Sequence, residues 1–269
     1  MPSYVIVGAS QGLGVSQLPF PFPNTYTNGS ANSPPPPENT IIGLVRTPSK
    51  VQARLSADNL PNVHLLQADM ADHTSLTTAA AATSKLTPNG AVDYLIINGV
   101  YVNSEENFLP PTAFSGKEDL ITTALLESIK VNVLGVIFSI NAFLPLVRKS
   151  SKKKIAVIST GLADLEEAQK GGIAFTVSYS SSKAALNMVI ARFAVELRGE
   201  GVVVLALMSP EVQQQIGVML ADFKRMDPNF PGRPISMEES IKGQKKVIEE
   251  VTIEQSGAFL SHHGDKKWL

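Results

Sequence analysis

Short β-branched and aliphatic runs alternate along the chain with longer stretches in which apolar residues recur every three or four positions. The runs Tyr4 to Val7, Thr40 to Val45, Val63 to Gln67, Tyr94 to Ile97, Lys154 to Ile158, Val202 to Leu207 and Gly257 to Phe259 predict strands. Leu120 to Val147 and Tyr179 to Leu197 have the helical period and predict amphipathic helices. Strands this continuously apolar are covered on both faces, and strand–helix alternation feeds a parallel sheet. The pattern therefore predicts an α/β fold, a doubly wound parallel sheet with helices on both faces, with residues 1–269 as a single domain.

Two segments interrupt the alternation. Residues 15–38 are rich in Pro, Asn, Ser and Thr, and seven of the chain's 18 prolines lie between Pro19 and Pro37, so a helix longer than a turn is excluded there and a loop is expected. Residues 211–237 mix a short apolar stretch with Pro228, Pro231 and Pro234, as expected of a flap over a substrate pocket or a surface excursion.

Composition narrows the class. With 43% hydrophobic residues and a net charge of −1, the chain is too apolar for disorder and lacks the positive charge that binding to nucleic acid demands. The absence of cysteine removes thiolate metal sites and cysteine nucleophiles and fits a reducing compartment. No apolar run approaches the roughly 20 residues of a membrane span, and no leader pattern opens the chain. A cytoplasmic protein with no membrane or nucleic-acid partner is expected. His262, His263 and Asp265 sit close in sequence, but a turn explains them better than a metal site, so no metal is expected.

Candidate chemistry starts where the first strand ends. Tyr4-Val5-Ile6-Val7 runs directly into Gly8-Ala9-Ser10-Gln11-Gly12-Leu13-Gly14, and glycines at such a turn let backbone amides approach a pyrophosphate. After the second strand comes Arg46, where a carboxylate would bind the ribose of NAD. An arginine suits the 2′-phosphate, so NADP(H) is favoured over NAD(H), with Ser10 or Gln11 as a weaker contact. Asp69, after the third strand, is placed to accept a hydrogen bond from adenine, and Asn98 ends the fourth strand on the same edge.

Tyr179 and Lys183 are four residues apart, which puts them on one helix face. An ammonium beside a phenol stabilises the phenolate and draws its pKa from about 10 toward working pH, so Tyr179 can give or take a proton. The same lysine can hold a nicotinamide ribose.

Taken with Gly8 to Gly14, Asp93 to Asn98, Val131 to Gly135, Ile158-Ser159-Thr160 and Ser256 to Leu260, this pair makes the sequence resemble a short-chain dehydrogenase/reductase. Within that family it is similar to the C-factor and sniffer-type carbonyl reductases and to fungal ketoreductases of secondary metabolism. The resemblance implies a single Rossmann-like domain and a tetrad of Asn132, a hydroxyl at Ser159 or Thr160, Tyr179 and Lys183. It also implies cofactor contacts from Pro210 and Val212 after the sixth strand, a small carbonyl or alcohol substrate, and a homodimer or homotetramer.

Several positions depart from the family pattern. Register favours Thr160 over Ser159 as the hydroxyl donor. The usual Asn-Asn-Ala-Gly after the fourth strand reads Ile97-Asn98-Gly99-Val100, Glu211 replaces a glycine, and the first helix after the glycine turn is replaced by the Pro-rich loop. The family function is reduction of a ketone or aldehyde, or the reverse oxidation. The departures leave open a second function, a non-redox or inactive relative with an impaired cofactor site.

Overall fold

The computed structural model describes residues 1–10, 39–57, 62–208 and 236–266. Gln11 to Gly14, the whole Pro-rich segment 15–38, and Pro210, Glu211 and Val212 lie outside the described residues.

Among the described residues the strands form one seven-stranded sheet in which neighbouring strands pair in parallel. The strands are β1 (Ser3–Val7), β2 (Thr40–Val45), β3 (Val63–Gln67), β4 (Tyr94–Ile97), β5 (Lys154–Ser159), β6 (Val203–Met208) and β7 (Phe259–Leu260), in spatial order β3-β2-β1-β4-β5-β6-β7. The alternation of side chains in β1 explains why its apolar run has no polar gaps. Val5 and Val7 pack on one face with Phe143, Leu186 and Ile190, while Tyr4 and Ile6 pack on the other with Val51, Val247 and Ile248. The sheet is Rossmann-like and doubly wound.

The helices on the first face are α2 (His73–Leu86), α3 (Glu118–Ile129), α4 (Gly135–Val147) and α6 (Val177–Leu197). On the second face lie α1 (Pro48–Ala57) and α7 (Met237–Glu250), while the short α5 (Leu165–Lys170) follows β5. Asp72 starts α2 by accepting the amides of Thr74 and Ser75, and Ser236 starts α7 by accepting that of Glu239. The expected flap at 211–237 therefore ends in a helix cap and the first helical residue, the remainder lying outside the described residues.

The long helix differs from its prediction. It begins at Glu118 and is interrupted by a π-turn, Lys130–Leu134, that carries Asn132. The continuous span Glu118–Val147 is 30 residues long and apolar enough to cross a membrane, which corrects the reading that no run approaches that length. Half of its most apolar window is buried inside the molecule. Ile140, Phe143 and Val147 are fully buried beneath the sheet, so the hydrophobicity serves the core.

The neighbours of β1 are β2 on one side and β4 on the other, so the winding reverses there and leaves a crevice at the carboxyl ends of β1 and β4. Gly8 and Gly99 meet at that crevice. A Cβ on Gly8, whose φ is +81°, would lie 2.5 Å from the backbone nitrogen of Gly99. Only glycine fits both the backbone angle and the approach.

Candidate active site

The first turns of α6 carry Tyr179 and Lys183, one turn apart. The Lys183 ammonium is buried and donates to the carbonyl of Ile158 on β5 at 2.8 Å. Burial disfavours its charge and draws its pKa from 10.5 down to about 8. Tyr179 is half-buried beside it in the helix.

Asn132 fixes the opposite side. Its Oδ1 accepts the amide of Tyr101 at 2.8 Å, and its Nδ2 donates to the Tyr101 carbonyl at 3.0 Å and to Ser182 Oγ at 2.9 Å. The fully buried side chain thus satisfies both backbone groups of one loop residue and joins the π-turn to α6. That use of the amide takes both of its N–H donors and one of the two lone pairs of its oxygen.

The two candidate hydroxyls at the end of β5 have different commitments. Ser159 Oγ donates to Asn187 Oδ1 on α6 at 2.8 Å, so its hydrogen is used in packing the strand on the helix. Thr160 Oγ1 accepts the amide of Leu162 at 3.3 Å and starts the turn that follows. Its hydroxyl hydrogen has no described acceptor. Of the two, Thr160 holds the hydrogen that is available to a substrate oxygen.

At the end of β1, the amides of Gly8 and Ala9 both donate to the carbonyl of Leu44, which ties the glycine turn to β2. Ser10 is half-buried in the turn. Arg46 is exposed immediately after β2. Asp69 is exposed, and its Oδ1 accepts the amide of Ala71 at 2.9 Å, so one carboxylate oxygen already serves its own turn. The amide of Asn98 donates to the Val7 carbonyl at 2.9 Å and holds the ends of β1 and β4 level. The structure therefore brings Asn132, Ser159, Thr160, Tyr179 and Lys183 together around β5, the π-turn and α6, and spreads Gly8, Ser10, Arg46, Asp69 and Asn98 along the strand ends toward β3.

The sequence model of the short chain dehydrogenases matches residues 39–222. The chain belongs to the short-chain dehydrogenase family. As an oxidoreductase of this family it is 37% identical, over the full length of both chains, to the short-chain dehydrogenase/reductase atnB of Arthrinium sp.. The short chain dehydrogenase virK of Hypocrea virens is 33% identical, again over both full chains. Among solved structures, the carbonyl reductase Sniffer of D. melanogaster superposes with a TM-score of 0.75 at 20% identity, covering 98% of each chain. The NADPH-bound carbonyl reductase from chicken fatty liver gives 0.71 at 21%, covering 100% of this chain and 99% of that one. At those identities the two structures establish the short-chain dehydrogenase fold.

Sequence reasoning missed three buried residues that are hydrogen-bonded to one another at the start of α6, next to Tyr179 in the chain. Glu106, in the loop between β4 and α3, is fully buried and accepts a hydrogen bond from Ser178 Oγ, and Ser128 Oγ on α3 donates to Ser178 Oγ at 3.3 Å. A usable signal existed for the serines. Ser128 precedes Asn132 by four residues and Ser178 precedes Ser182 by four, which is the spacing of one helix face.

Proposed function

We propose that this short-chain dehydrogenase is an NADPH-dependent reductase that converts a ketone or aldehyde to its alcohol, or runs the reverse reaction. The observation that carries the reading is the pairing on α6 of Tyr179 with a Lys183 whose buried ammonium is anchored to β5, beside a Thr160 hydroxyl hydrogen that is uncommitted. The residues fit the cofactor. Gly8 turns at φ +81° with its backbone packed on that of Gly99, so the end of β1 presents bare backbone with no side chain, and Arg46 offers an exposed cation just after β2, where a 2′-phosphate would be bound. In this reading Gly8, Gly12, Leu13 and Gly14 hold the pyrophosphate side, Arg46 with Ser10 or Gln11 the 2′-phosphate, Asp69 the adenine with Asn98 on the same edge, and Pro210 and Val212 the nicotinamide half.

NADPH, when bound, supplies the hydride for the carbonyl carbon. Thr160 donates a hydrogen bond to the carbonyl oxygen and holds it toward the phenol. Tyr179 gives its proton to that oxygen as negative charge develops, completing the alcohol. The Lys183 ammonium lowers the cost of the tyrosinate left behind. Asn132 keeps the Tyr101 loop and α6 at a fixed separation, which holds the phenol in place.

A cytoplasmic homo-oligomer built from one domain is part of the same reading, as is a role in fungal-type secondary metabolism. Purified protein is assayed by loss of NADPH absorbance across a panel of ketones. Tyr179→Phe is expected to abolish turnover while NADPH still binds by fluorescence titration, and retained turnover would overturn the reading.

One observation favours a second reading, a dinucleotide-binding relative without turnover. The family model starts its match at residue 39, after the glycine turn and the Pro-rich segment that stands in place of a helix. An NADPH titration that saturates with no turnover of any carbonyl in the panel favours this second function.

A further inference from the structure

We infer that Glu106 is a positioning residue for Tyr179, acting through Ser178. This rests on the proton-donor role proposed for Tyr179 above. Helix α3 and the π-turn that continues it are joined to α6 by two rungs of side chains, spaced one helical turn from each other. The lower rung runs from Ser182 to Asn132 and on to the backbone of Tyr101. The upper rung runs from Ser128 to Ser178 and on to the carboxyl of Glu106. Both rungs end on the same loop, five residues apart, and they stand one residue before Lys183 and Tyr179 respectively. The lower rung therefore sets the level of the lysine and the upper rung the level of the tyrosine.

Glu106 is an unusual choice for such a place. Its side chain is 0% exposed, Oε1 accepts from Ser178, and Oε2 is buried with no hydrogen-bond partner among the described residues. An acid buried with one neutral hydroxyl as its described partner is unfavourable in itself, so its presence demands a function for the contact. The loop prepares the carboxyl for it: Asn103 Oδ1 accepts the amides of Glu105 at 2.9 Å and Glu106 at 3.1 Å.

The turn that this contact steadies is strained. Thr176, the residue that starts α6, has φ +59° and ψ +38°, a left-handed conformation that a β-branched residue rarely adopts. It is held there by its amide donating to the carbonyl of Asn107 at 3.0 Å, by its hydroxyl lying 2.7 Å from Ser180 Oγ, and by the Phe108 and Phe175 rings meeting at 5.9 Å. Three consecutive loop residues, 106 to 108, thus bind the start of α6 and the residues just before it, within four residues of Tyr179. Strain at such a site persists only when its surroundings over-determine it. Removing Glu106 frees the turn to relax and the phenol to leave its aim.

The test compares Glu106→Ala, Glu106→Gln and Ser178→Ala in the full chain, with NADPH and the best ketone of the panel. Glu106→Ala is expected to lower kcat between tenfold and a hundredfold while the Kd for NADPH stays within about twofold. Glu106→Gln keeps an acceptor for Ser178 and is expected to restore kcat to within about threefold of the parent. If the alanine variant fails to fold, Ser178→Ala carries the same expectation, since it removes the hydroxyl and leaves the loop intact. Should the parent protein reduce no carbonyl, the Tyr179 phenol is titrated by its absorbance as the difference from Tyr179→Phe. Its ionisation is then expected to move up in Glu106→Ala and to return in Glu106→Gln. An unchanged kcat and phenol titration in the alanine variant, or no recovery with glutamine, overturns the inference.

Discussion

The glycine that follows β4 offers a sharp test of how this crevice is packed. A Cβ built on Gly99 would lie 1.9 Å from Met70 Sδ and 3.3 Å from both its Cγ and Cε. An ordinary contact needs about 3.5–4.0 Å, so the sulfur would have to retreat by roughly 1.6 Å or more. Methionine is flexible, but Met70 is buried, and the base of its side chain packs close on the start of α4. Its Cβ and carbonyl oxygen already sit at 3.0 Å from where a Cβ on Gly135 would stand. The residue is a wedge between the end of β4 and the start of α4. Gly99→Ala is therefore an overpacking change, and such changes cost about 1–3 kcal/mol. For a domain of this size each kcal/mol lowers Tm by roughly 2–4 °C, which gives an expected fall of roughly 2–12 °C.

The decisive assay is a double-mutant cycle by denaturant unfolding. Met70→Ala alone loses a buried side chain and costs about 2–5 kcal/mol. In that background the Gly99→Ala penalty is expected to shrink below about 0.5 kcal/mol, because the atom it collides with is gone. An equal penalty in both backgrounds would refute the wedge, and the cost would then belong to the Gly8 contact.

The remaining predictions concern the residues around β5. Thr160→Val removes the uncommitted hydroxyl and is expected to lower kcat by about 10²–10³, the usual loss for one such donor, whereas Ser159→Ala breaks only the Asn187 contact and should cost about 1 kcal/mol in unfolding with most turnover kept. A reversed ranking in steady-state kinetics would move the role to Ser159. Lys183 is depressed to about 8 in the folded state, so between about pH 8 and 10.5 the unfolded chain binds the extra proton and folding stability rises with pH. Without cofactor, Lys183→Met is expected to gain stability relative to the parent most at pH 7, by up to about 3 kcal/mol less the lost Ile158 hydrogen bond, and the advantage should fade by pH 10; a pH-independent difference in denaturant melts refutes it.

The strands were legible because each is a dense apolar run bounded by polar residues or glycine. Thr40–Val45, Val63–Gln67 and Tyr94–Ile97 agree residue for residue, and β1, β5 and β6 differ at their ends by a single position. The last strand is Phe259–Leu260 and not Gly257 to Phe259, since Gly257 turns at φ +89° and its Cβ position is closed by Ala194. The tyrosine–lysine pair was legible from spacing, because helix geometry alone brings positions four apart onto one face. Asn132 was legible only through resemblance. Nothing in its own window announces a π-turn, since the apolar period on both sides reads as one uninterrupted helix. The choice between Ser159 and Thr160 needed the observed partners, as both stand at the same strand end.

Glu106 shows why the rest was hidden. It lies in Asn103-Ser104-Glu105-Glu106-Asn107, a polar stretch that reads as solvated loop at every position, yet the second glutamate is wholly buried and the first is exposed. The difference is made by Ser178, 72 positions away in the chain, whose hydroxyl donates a hydrogen bond to the carboxyl. The same holds at the crevice, where the altered Ile97-Asn98-Gly99-Val100 looks like a damaged motif when read along the strand. In space the glycine is what admits Met70, and Met70 in turn fills the gap before Gly135. A departure from a family pattern is thus not in itself evidence of lost function: when the change removes a side chain and a larger one from elsewhere fills the volume, the two positions have to be judged as a pair.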